Sequence, residues 1–368
     1  MSAIRLAMRR TRFAGCYLAG LLALGIMLSP STGEAKSCTH RDGGTFRDVR
    51  WRQAKNSVHP LVGQVLRGDK PIFGQIGLCN SPLQKLIAEV WGTIEAGGIV
   101  LLGEVHDNPE HHAVRGNILW PRLDGLVQTK ATHPAAVFEH IRTGQKAQLD
   151  YFYQVAARSR RLWRAPDLLR VLEWKASGWP EARIFYPLFD AALQGKLPIL
   201  PGNAERVRVR ALVRGEGHVP ASAEEAEHLR LARAMPQPLV HELERELAGS
   251  HCGILPANAI PAMGLAQRYT DAHMAVALAN ASQRHTAAFL LAGNGHLRSD
   301  RGVPWYLRQF APRRKVLSVM LLEVAEGHND PGEYVPRGPG SEPVADYVLL
   351  TPRHPRPDPC EAMRRGKP

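Results

Sequence analysis

Two distant stretches of the sequence place a histidine three residues after a glycine. GEVH ends at His106 and GNGH ends at His296. In both, the glycine lets the chain turn sharply and brings its backbone close to a ligand. The histidine that follows is then able to point back over the turn. The repeated G-x-x-H spacing therefore indicates a pair of imidazoles that act together.

The residues around this pair have the chemistry of a metal site. The imidazoles of His106 and His296, with the carboxylates of Glu104 and Glu139, form a ligand set suited to zinc or another divalent ion. With an open coordination position, such an ion activates water, and a carboxylate outside the metal shell serves as general base. A single G-x-x-H carries little weight, because a histidine beside a strand end is often bonded into a loop. The prediction depends on the pair.

Other side chains are weaker candidates for a ligand site. His111 and His112 follow Asn108-Pro109, and proline suits the first turn of a helix. We expect a helix to begin there, with at most one of the two histidines facing the site. Four tyrosines have the phenolate that binds ferric haem, although packing explains each of them taken singly: Tyr151, Tyr153, Tyr186 and Tyr269.

Short apolar runs must position these residues. They predict strands buried on both faces, at 98–104, 134–140, 197–203, 287–296, 316–324 and 346–352. Helical stretches separate the first four runs, which predicts an α/β fold with a mostly parallel central sheet flanked by helices. The last two runs lack a helix between them and predict an antiparallel edge. Because ligands bind beyond the carboxyl ends of parallel strands, both motifs and Glu139 are expected to meet there.

Three segments follow residues 1–35, and the second of them contains an inserted lobe. We expect an extension at 36–80 with the short hairpin VLRGDKPIFG, and a main α/β domain at 81–350. An inserted, mainly helical lobe occupies about 145–285 and includes one core strand. A tail rich in Pro and Arg follows at 351–368, loosely ordered unless Cys360 ties it down.

Residues 1–35 have the pattern of a removed signal peptide. Four arginines precede an apolar run at 14–28, which is too short for a membrane span. Cys16 lies at the start of this run, whereas the cysteine of a lipoprotein box stands at its end, so we expect no lipid anchor. The sequence therefore predicts an exported protein of the periplasm or cell envelope.

Export changes the interpretation of the cysteines and of the charge. In an oxidising compartment four cysteines allow two disulfides in three connectivities: Cys38, Cys79, Cys252 and Cys360. The net charge is +13, and removal of residues 1–35, with four Arg and one Glu, leaves about +10. Such a chain suits an anionic small ligand or peripheral association with an envelope membrane. Export argues against nucleic acid as a partner.

Several common catalytic and cofactor motifs are absent from the sequence. There is no Walker A loop, no G-x-G-x-x-G and no G-x-S-x-G elbow. The absence of C-x-x-C-H excludes covalent attachment of a c-type haem. With 44% hydrophobic and 22% charged residues in 368, the composition is that of a globular protein.

At this point the ordered blocks of the sequence resemble a known family. GEVHDNPEHH, VFEHIRTGQKAQLD, LPILPGNAERVRVRALV, AMGLAQRYTDAHMAVALA and LLAGNGHLRSDRGVPWYL are similar, in this order, to the ChaN-like haem-binding family. That family belongs to the haem-binding-uptake, Tiki and TraB superfamily. The resemblance covers roughly residues 80 to 325.

The resemblance implies a bacterial envelope protein that holds haem noncovalently in iron or haem uptake or handling. It implies a haem near a subunit contact, hence a homodimer, with His106, His296, His111 and His112 as candidate haem-binding residues. The wider superfamily includes metal-dependent proteases, whose motif matches His106, His296 and Glu104 here, with Glu139 as a further candidate. A metal-dependent hydrolase therefore stays the alternative. ChaN-like proteins are often lipoproteins, and this chain lacks a well-placed lipoprotein box.

Overall fold

The structure covers the central part of the chain and most of its C-terminal part. The computed structural model describes residues 59–73, 81–119, 133–214, 216, 222–231 and 233–365. The predicted signal segment, Cys38 and Cys79 lie outside these residues. All described residues belong to one compact unit. No helix found among them has the length and apolar character that a membrane crossing requires.

Each of the six apolar runs contains a strand, and the predicted hairpin adds two more. The described residues form eight strands, which are β1 (Val65–Arg67), β2 (Lys70–Pro71), β3 (Ile99–Leu102), β4 (Ala135–Arg142), β5 (Ile199–Asn203), β6 (Ala288–Leu291), β7 (Val316–Glu323) and β8 (Tyr347–Thr351). They form one sheet in the order β2-β1-β8-β7-β3-β6-β4-β5. The mixed α/β fold with a mostly parallel sheet is therefore confirmed.

One strand direction differs from the sequence prediction. β7 and β8 are parallel, with Val319 opposite Tyr347, so the antiparallel pairing expected for the last two runs is wrong. Their long connection crosses from the carboxyl end of β7 to the amino end of β8 without an α-helix, and it contains a 3-10 turn at Pro331–Tyr334. The antiparallel edge is instead formed by β1, which pairs with both β2 and β8.

Helices cover both faces of the sheet. They are α1 (Pro82–Glu95), α2 (Pro109–Leu119), α3 (Lys146–Arg158), α4 (Ala165–Val171), α5 (Trp174–Ser177), α6 (Ala182–Gln194), α7 (Arg206–Val213), α8 (Ala223–His228), α9 (Gln237–Ser250), α10 (Ile260–Arg284), α11 (Val303–Phe310) and α12 (Pro359–Arg364). As predicted, α2 begins at Pro109. The expected helices between 145 and 285 form around β5.

The sheet separates two apolar cores, because successive side chains of a strand point to opposite faces. Val100 and Leu102 of β3 pack into the core that includes α1, α2 and α6, which we call the first face. Ile99 and Leu101 pack into the core that includes α10 and α11, which we call the second face. All four residues are completely buried. This explains why the strands read as continuous apolar runs.

The C-terminal segment is fixed to the rest of the fold at two points. Arg356 donates hydrogen bonds to both Asp107 and Glu323, at 2.6–2.8 Å. Cys360, in α12, forms a disulfide with Cys252, two residues after α9. The tail therefore connects the loop that follows β3 to the end of α9. Of the three disulfide connectivities the sequence allowed, this bridge selects the one that joins Cys252 to Cys360.

Candidate functional site

The two G-x-x-H motifs lie side by side at the carboxyl edge of the sheet. β6 pairs in parallel with β3 on one side and with β4 on the other. Leu102 of β3 and Phe138 of β4 both lie opposite Leu291 of β6. The chain segments that follow these residues carry the first motif, Glu139 and the second motif. The strand order thus explains how residues 190 positions apart in sequence reach one site.

The glycine of each motif makes room for a side chain of the other motif. A Cβ atom added to Gly293 would lie 2.9 Å from Cε1 of the His106 ring. One added to Gly103 would overlap the side chain of Asn294, whose amide hydrogen-bonds the backbone of Leu321. Neither glycine has a positive φ angle, so both are needed for close approach rather than for a left-handed turn. The two motifs therefore pack directly against each other.

Glu104 is the centre of a buried polar cluster on the first face. Its Oε1 atom accepts hydrogen bonds from Nδ1 of His106 and Nε2 of His140, both at 2.7 Å. Its Oε2 atom contacts Arg115 and lies 3.2 Å from Nδ1 of His112. Glu104, His112, His140 and Arg115 are buried. A buried carboxylate needs such partners, because an unpaired charge in the interior is very costly.

His111 and His112 lie in the first turn of α2, but both are completely buried behind the motif. Nδ1 of His111 accepts from the Val105 backbone N–H and its Nε2 donates to Thr351. Nδ1 of His112 accepts from Arg115 and its Nε2 donates to the backbone carbonyl of His106. Burial lowers the pKa of each to about 3, so both rings are neutral. Their four ring nitrogens all have protein partners, and neither ring lines the cleft.

A second buried cluster surrounds Glu139 on the opposite face. Oε2 of Glu139 accepts from the backbone N–H of Gly293 at 2.7 Å, and Oε1 lies 3.3 Å from Nε2 of His296. Nδ1 of His296 donates to Asp271 of α10 at 2.6 Å. Burial would lower the pKa of His296, but Glu139 and Asp271 outweigh it and raise this pKa well above its ordinary value. His296 is therefore an imidazolium held between two carboxylates.

The charged groups of this second cluster shift one another's pKa values towards the ionised forms. Burial would raise the pKa of Glu139, yet His296 and His106 lower it below its ordinary range. Burial raises the pKa of Asp271 to about 6, although His296 opposes the rise. Glu139 is therefore fully ionised at neutral pH, and Asp271 is mostly ionised.

His106 stands where the two clusters meet. Strand alternation sends His140 to the first face and Glu139 to the second, and Nε2 of His106 lies 3.9 Å from Oε1 of Glu139. The His106 side chain is 38% exposed, against 11% for His296. Its ring centroid is 4.9 Å from that of Trp179, which donates to the His140 carbonyl. Trp179 thus supports the ring from the first face.

A cleft of about 660 Å³ opens over this edge, which is within the usual size of small-ligand sites. One wall is the edge itself, with Glu104, His106 and the second motif. The facing wall is α9, which contributes the apolar side chains of Leu243 and Leu247. None of the four tyrosines considered above lines it, nor does any cysteine or methionine among the described residues.

Only one group of three metal-ligating side chains is close enough to share an ion in the described part of the chain. It consists of Glu104, His106 and His140, whose ligand atoms lie within 4.8 Å of one another. This differs from the sequence prediction, which combined Glu104 and His106 with Glu139 and His296. In the structure, Glu104 accepts from both histidines and also contacts Arg115, so these atoms already form a closed protein network.

Sequence reasoning missed three residues that complete the two clusters. Arg115 could have been found from its position one helical turn after His112. His140 could have been found from strand alternation, which sends it away from Glu139 and towards Glu104. Asp271 has no such local signal, because its partner, His296, comes from a distant segment of the chain.

Comparisons with known proteins bear directly on this fold and site. The family model described as haem-binding uptake, Tiki superfamily, ChaN matches residues 90–307, which is more than half of the chain. The chain belongs to this ChaN family. The match includes both G-x-x-H motifs, Glu139 and α9 of this ChaN-family chain. No curated protein matches it in sequence.

One solved structure supports the fold assignment. ChaN of Campylobacter jejuni, described for its cofacial haem binding, is 20% identical, with a TM-score of 0.53 over 77% of this chain and 95% of that one. At this identity the likeness establishes the fold alone. Two further structures have TM-scores too low for argument. The type III effector HopBA1 scores 0.37 at 11% identity, over 74% of this chain and 94% of its own. A Bacillus cereus protein scores 0.29 at 13% identity, over 66% and 69%.

Proposed function

We propose that this chain binds haem noncovalently in the cleft between the sheet edge and α9, as part of iron or haem uptake or handling. Membership of the haem-binding ChaN family supports the ligand class. The size of the cleft and the apolar wall made by Leu243 and Leu247 suit a large, flat, mostly apolar ligand.

The arrangement of His106 is the observation that carries the proposal. Its Nδ1–H donates to Glu104, so its Nε2 keeps the lone pair that a metal ligand needs. Within the described residues this Nε2 accepts no hydrogen bond, and the ring is 38% exposed at the cleft. Histidine held in this way through its other nitrogen is a common axial ligand of haem iron. We therefore assign His106 to the haem iron.

His296 has a different role in this proposal. Both of its nitrogens face carboxylates, and its raised pKa keeps it protonated, so it has no lone pair to donate. We propose that it fixes Glu139 and the second motif rather than touching iron. His111 and His112 are likewise structural, since their nitrogens are engaged behind the site.

The same geometry disfavours the hydrolase alternative. A divalent ion shared by Glu104, His106 and His140 would replace two hydrogen bonds of 2.7 Å. It would also lie beside the guanidinium of Arg115, whose charge repels a cation. A metal ion placed beside Glu139 instead would be repelled by His296, which is protonated. The residues therefore suit haem better than a catalytic zinc.

Location and partners are proposed on sequence grounds. The basic and apolar segments within residues 1–35 support export to the periplasm or envelope without a lipid anchor. The disulfide between Cys252 and Cys360 is typical of an oxidising compartment. The positive charge favours the haem propionates or an anionic membrane surface. By resemblance to the family, we propose a homodimer.

Haemin titration of the purified protein tests the proposal. We expect a saturable shift of the Soret band at micromolar protein, with haem retained through gel filtration. Absence of a saturable shift contradicts haem binding. Elemental analysis of protein purified without chelators covers the alternative, because stoichiometric zinc without haem would support a metal-dependent hydrolase.

A further inference from the structure

A second cavity lies at the opposite edge of the sheet from the two G-x-x-H motifs. Lys315 directly precedes β7 and Tyr347 begins β8, and these strands are parallel, so both residues mark the edge where the parallel strands begin. We call this the amino-edge cavity. Its volume is about 640 Å³, within the usual range of small-ligand sites. It shares no described lining residue with the cleft beside α9.

Helix α1 forms one wall of the amino-edge cavity. Lys85, Glu89 and Gly92 line it and recur at the spacing of one helical face. Ala88, on the same face, is also small. A Cβ atom added to Gly92 would have no atom within 4 Å. The small residues of α1 therefore leave space beside the sheet for a ligand.

Three cationic side chains line the cavity and have no carboxylate partner among the described residues: Arg67, Lys85 and Lys315. The guanidinium carbon of the first lies 5.9 Å from the ring centroid of Tyr347, its register partner on β8. The ammonium group of the second donates to the backbone carbonyl of Phe73 at 2.9 Å. Glu89 is the one carboxylate in the described lining. The lining therefore has a net positive charge.

Two buried hydroxyl groups of the same lining also have no partner. Thr93 is 1% exposed, and its Oγ1 atom makes no hydrogen bond, not even to the carbonyl four residues earlier that helical threonines often use. Tyr347 is 2% exposed, and its phenol makes no hydrogen bond to any described residue. Buried hydroxyls without partners are costly, so they need an explanation. A ligand in the cavity that accepts hydrogen bonds supplies one.

The cations and the hydroxyls of this lining share the ability to donate hydrogen bonds to an oxyanion. Lysine and arginine are donors only, and a hydroxyl donates through its single O–H. Phosphate oxygens accept from such groups, and the bonds are strong when donor and acceptor are both charged. Glu89 has the opposite character, because its carboxylate can accept from a hydroxyl group of the same ligand.

We propose that the amino-edge cavity binds the phosphate group of a small ligand that also carries hydroxyl groups. A soluble phosphate ester and the headgroup of an anionic phospholipid both have this chemistry. The site goes beyond haem binding and does not depend on it, since the two cavities lie at opposite edges of the sheet. If the cations only balance the negative end of α1, phosphate does not bind there.

Glycerol 3-phosphate and phosphatidylglycerol vesicles are the two probes. Isothermal titration calorimetry measures binding of the first to the purified protein, and vesicle flotation measures binding of the second. Thr93→Val and Lys315→Gln are the test variants. Lys70→Gln is the matched control, because Lys70 is exposed in β2 and does not line the cavity. Circular dichroism verifies that each variant folds.

We expect wild type and Lys70→Gln to bind at least one probe saturably. Lys315→Gln should bind it about tenfold more weakly, since it loses a charge-assisted hydrogen bond. Thr93→Val should also bind more weakly while staying folded, because it removes an unpaired hydroxyl and no charge.

The two probes identify the source of the phosphate. Binding of glycerol 3-phosphate that depends on Lys315 supports a soluble ester, and binding of vesicles alone with the same dependence supports a lipid headgroup. Absence of saturable binding to both probes overturns the site. Equal weakening by Lys70→Gln and Lys315→Gln overturns it as well, because general surface charge would then explain the binding. In both cases the proposed haem binding stands.

Discussion

His106 and His296 end motifs of the same spacing, yet the fold gives their rings opposite surroundings. One ring is half-exposed, anchored through Nδ1 alone and directed towards a cleft. The other is buried, protonated and held between Glu139 and Asp271. Identical spacing therefore does not imply identical chemistry. The difference arises because Glu104 and Glu139 point to opposite faces of one sheet, and each face supplies its own partners.

The largest loss of stability should follow from a change at Glu104, the centre of the first cluster. Glu104→Gln leaves the buried guanidinium of Arg115 without its counter-charge, and breaking a buried ion pair on one side costs about 3–5 kcal/mol. Urea unfolding measures the loss. Glu326→Gln, at an exposed position in the loop after β7, is the control and should change stability by less than about 0.5 kcal/mol. A loss below about 1 kcal/mol for Glu104→Gln would show that the cluster does not depend on this charge.

The same measurement separates the two motif histidines. His296→Gln leaves two buried carboxylates without their shared cation, so we expect a loss of about 3 kcal/mol in the free energy of unfolding. His106→Gln should cost less than about 1 kcal/mol, because Glu104 keeps Arg115 and His140 as partners. Equal losses in the two variants would contradict the division into a structural and a ligand-binding histidine.

His296, in the second motif, should make the free energy of unfolding depend on pH. Because the native pKa of His296 lies above its ordinary value of 6.5, its stabilising contribution is complete below pH 6.5. The contribution is lost as pH rises through the native pKa. The stability difference between wild type and His296→Gln should therefore shrink as the pH rises above about 6.5. Urea midpoints across this range measure it, and a difference that does not change with pH would be evidence against the imidazolium.

The smallest change in stability should follow from substitution of Gly293, the glycine beside the His106 ring. A Cβ at Gly293 would lie 2.9 Å from Cε1 of His106, so Gly293→Ala should cost about 1 kcal/mol and displace the ring. Gly92, on the exposed side of α1, has no atom within 4 Å of an added Cβ. Gly92→Ala should therefore stabilise the fold by about 0.5 kcal/mol. Similar effects of the two alanines would mean that the motifs do not pack against each other.

The sequence predicted the strands well, because strands buried on both faces must be continuously apolar. It also placed both motifs and Glu139 at one edge, since the carboxyl ends of parallel strands share an edge. The direction of β8 was wrong because a long connection without a helix gives no signal of its return path. The partners Asp271 and Arg115 depend on tertiary packing. Local spacing carries no information about those contacts.

Haemin titration of His106→Gln and His296→Gln, followed at the Soret band at neutral pH, tests most directly whether the first motif alone supplies a haem ligand. The account predicts that His106→Gln loses the wild-type spectrum and binds haemin at least about tenfold more weakly, consistent with the usual cost of disturbing a metal site. Folded His296→Gln should keep the wild-type haem spectrum. A His106→Gln protein that gives the wild-type spectrum and affinity, or a His296→Gln protein that alone loses them, would contradict the account.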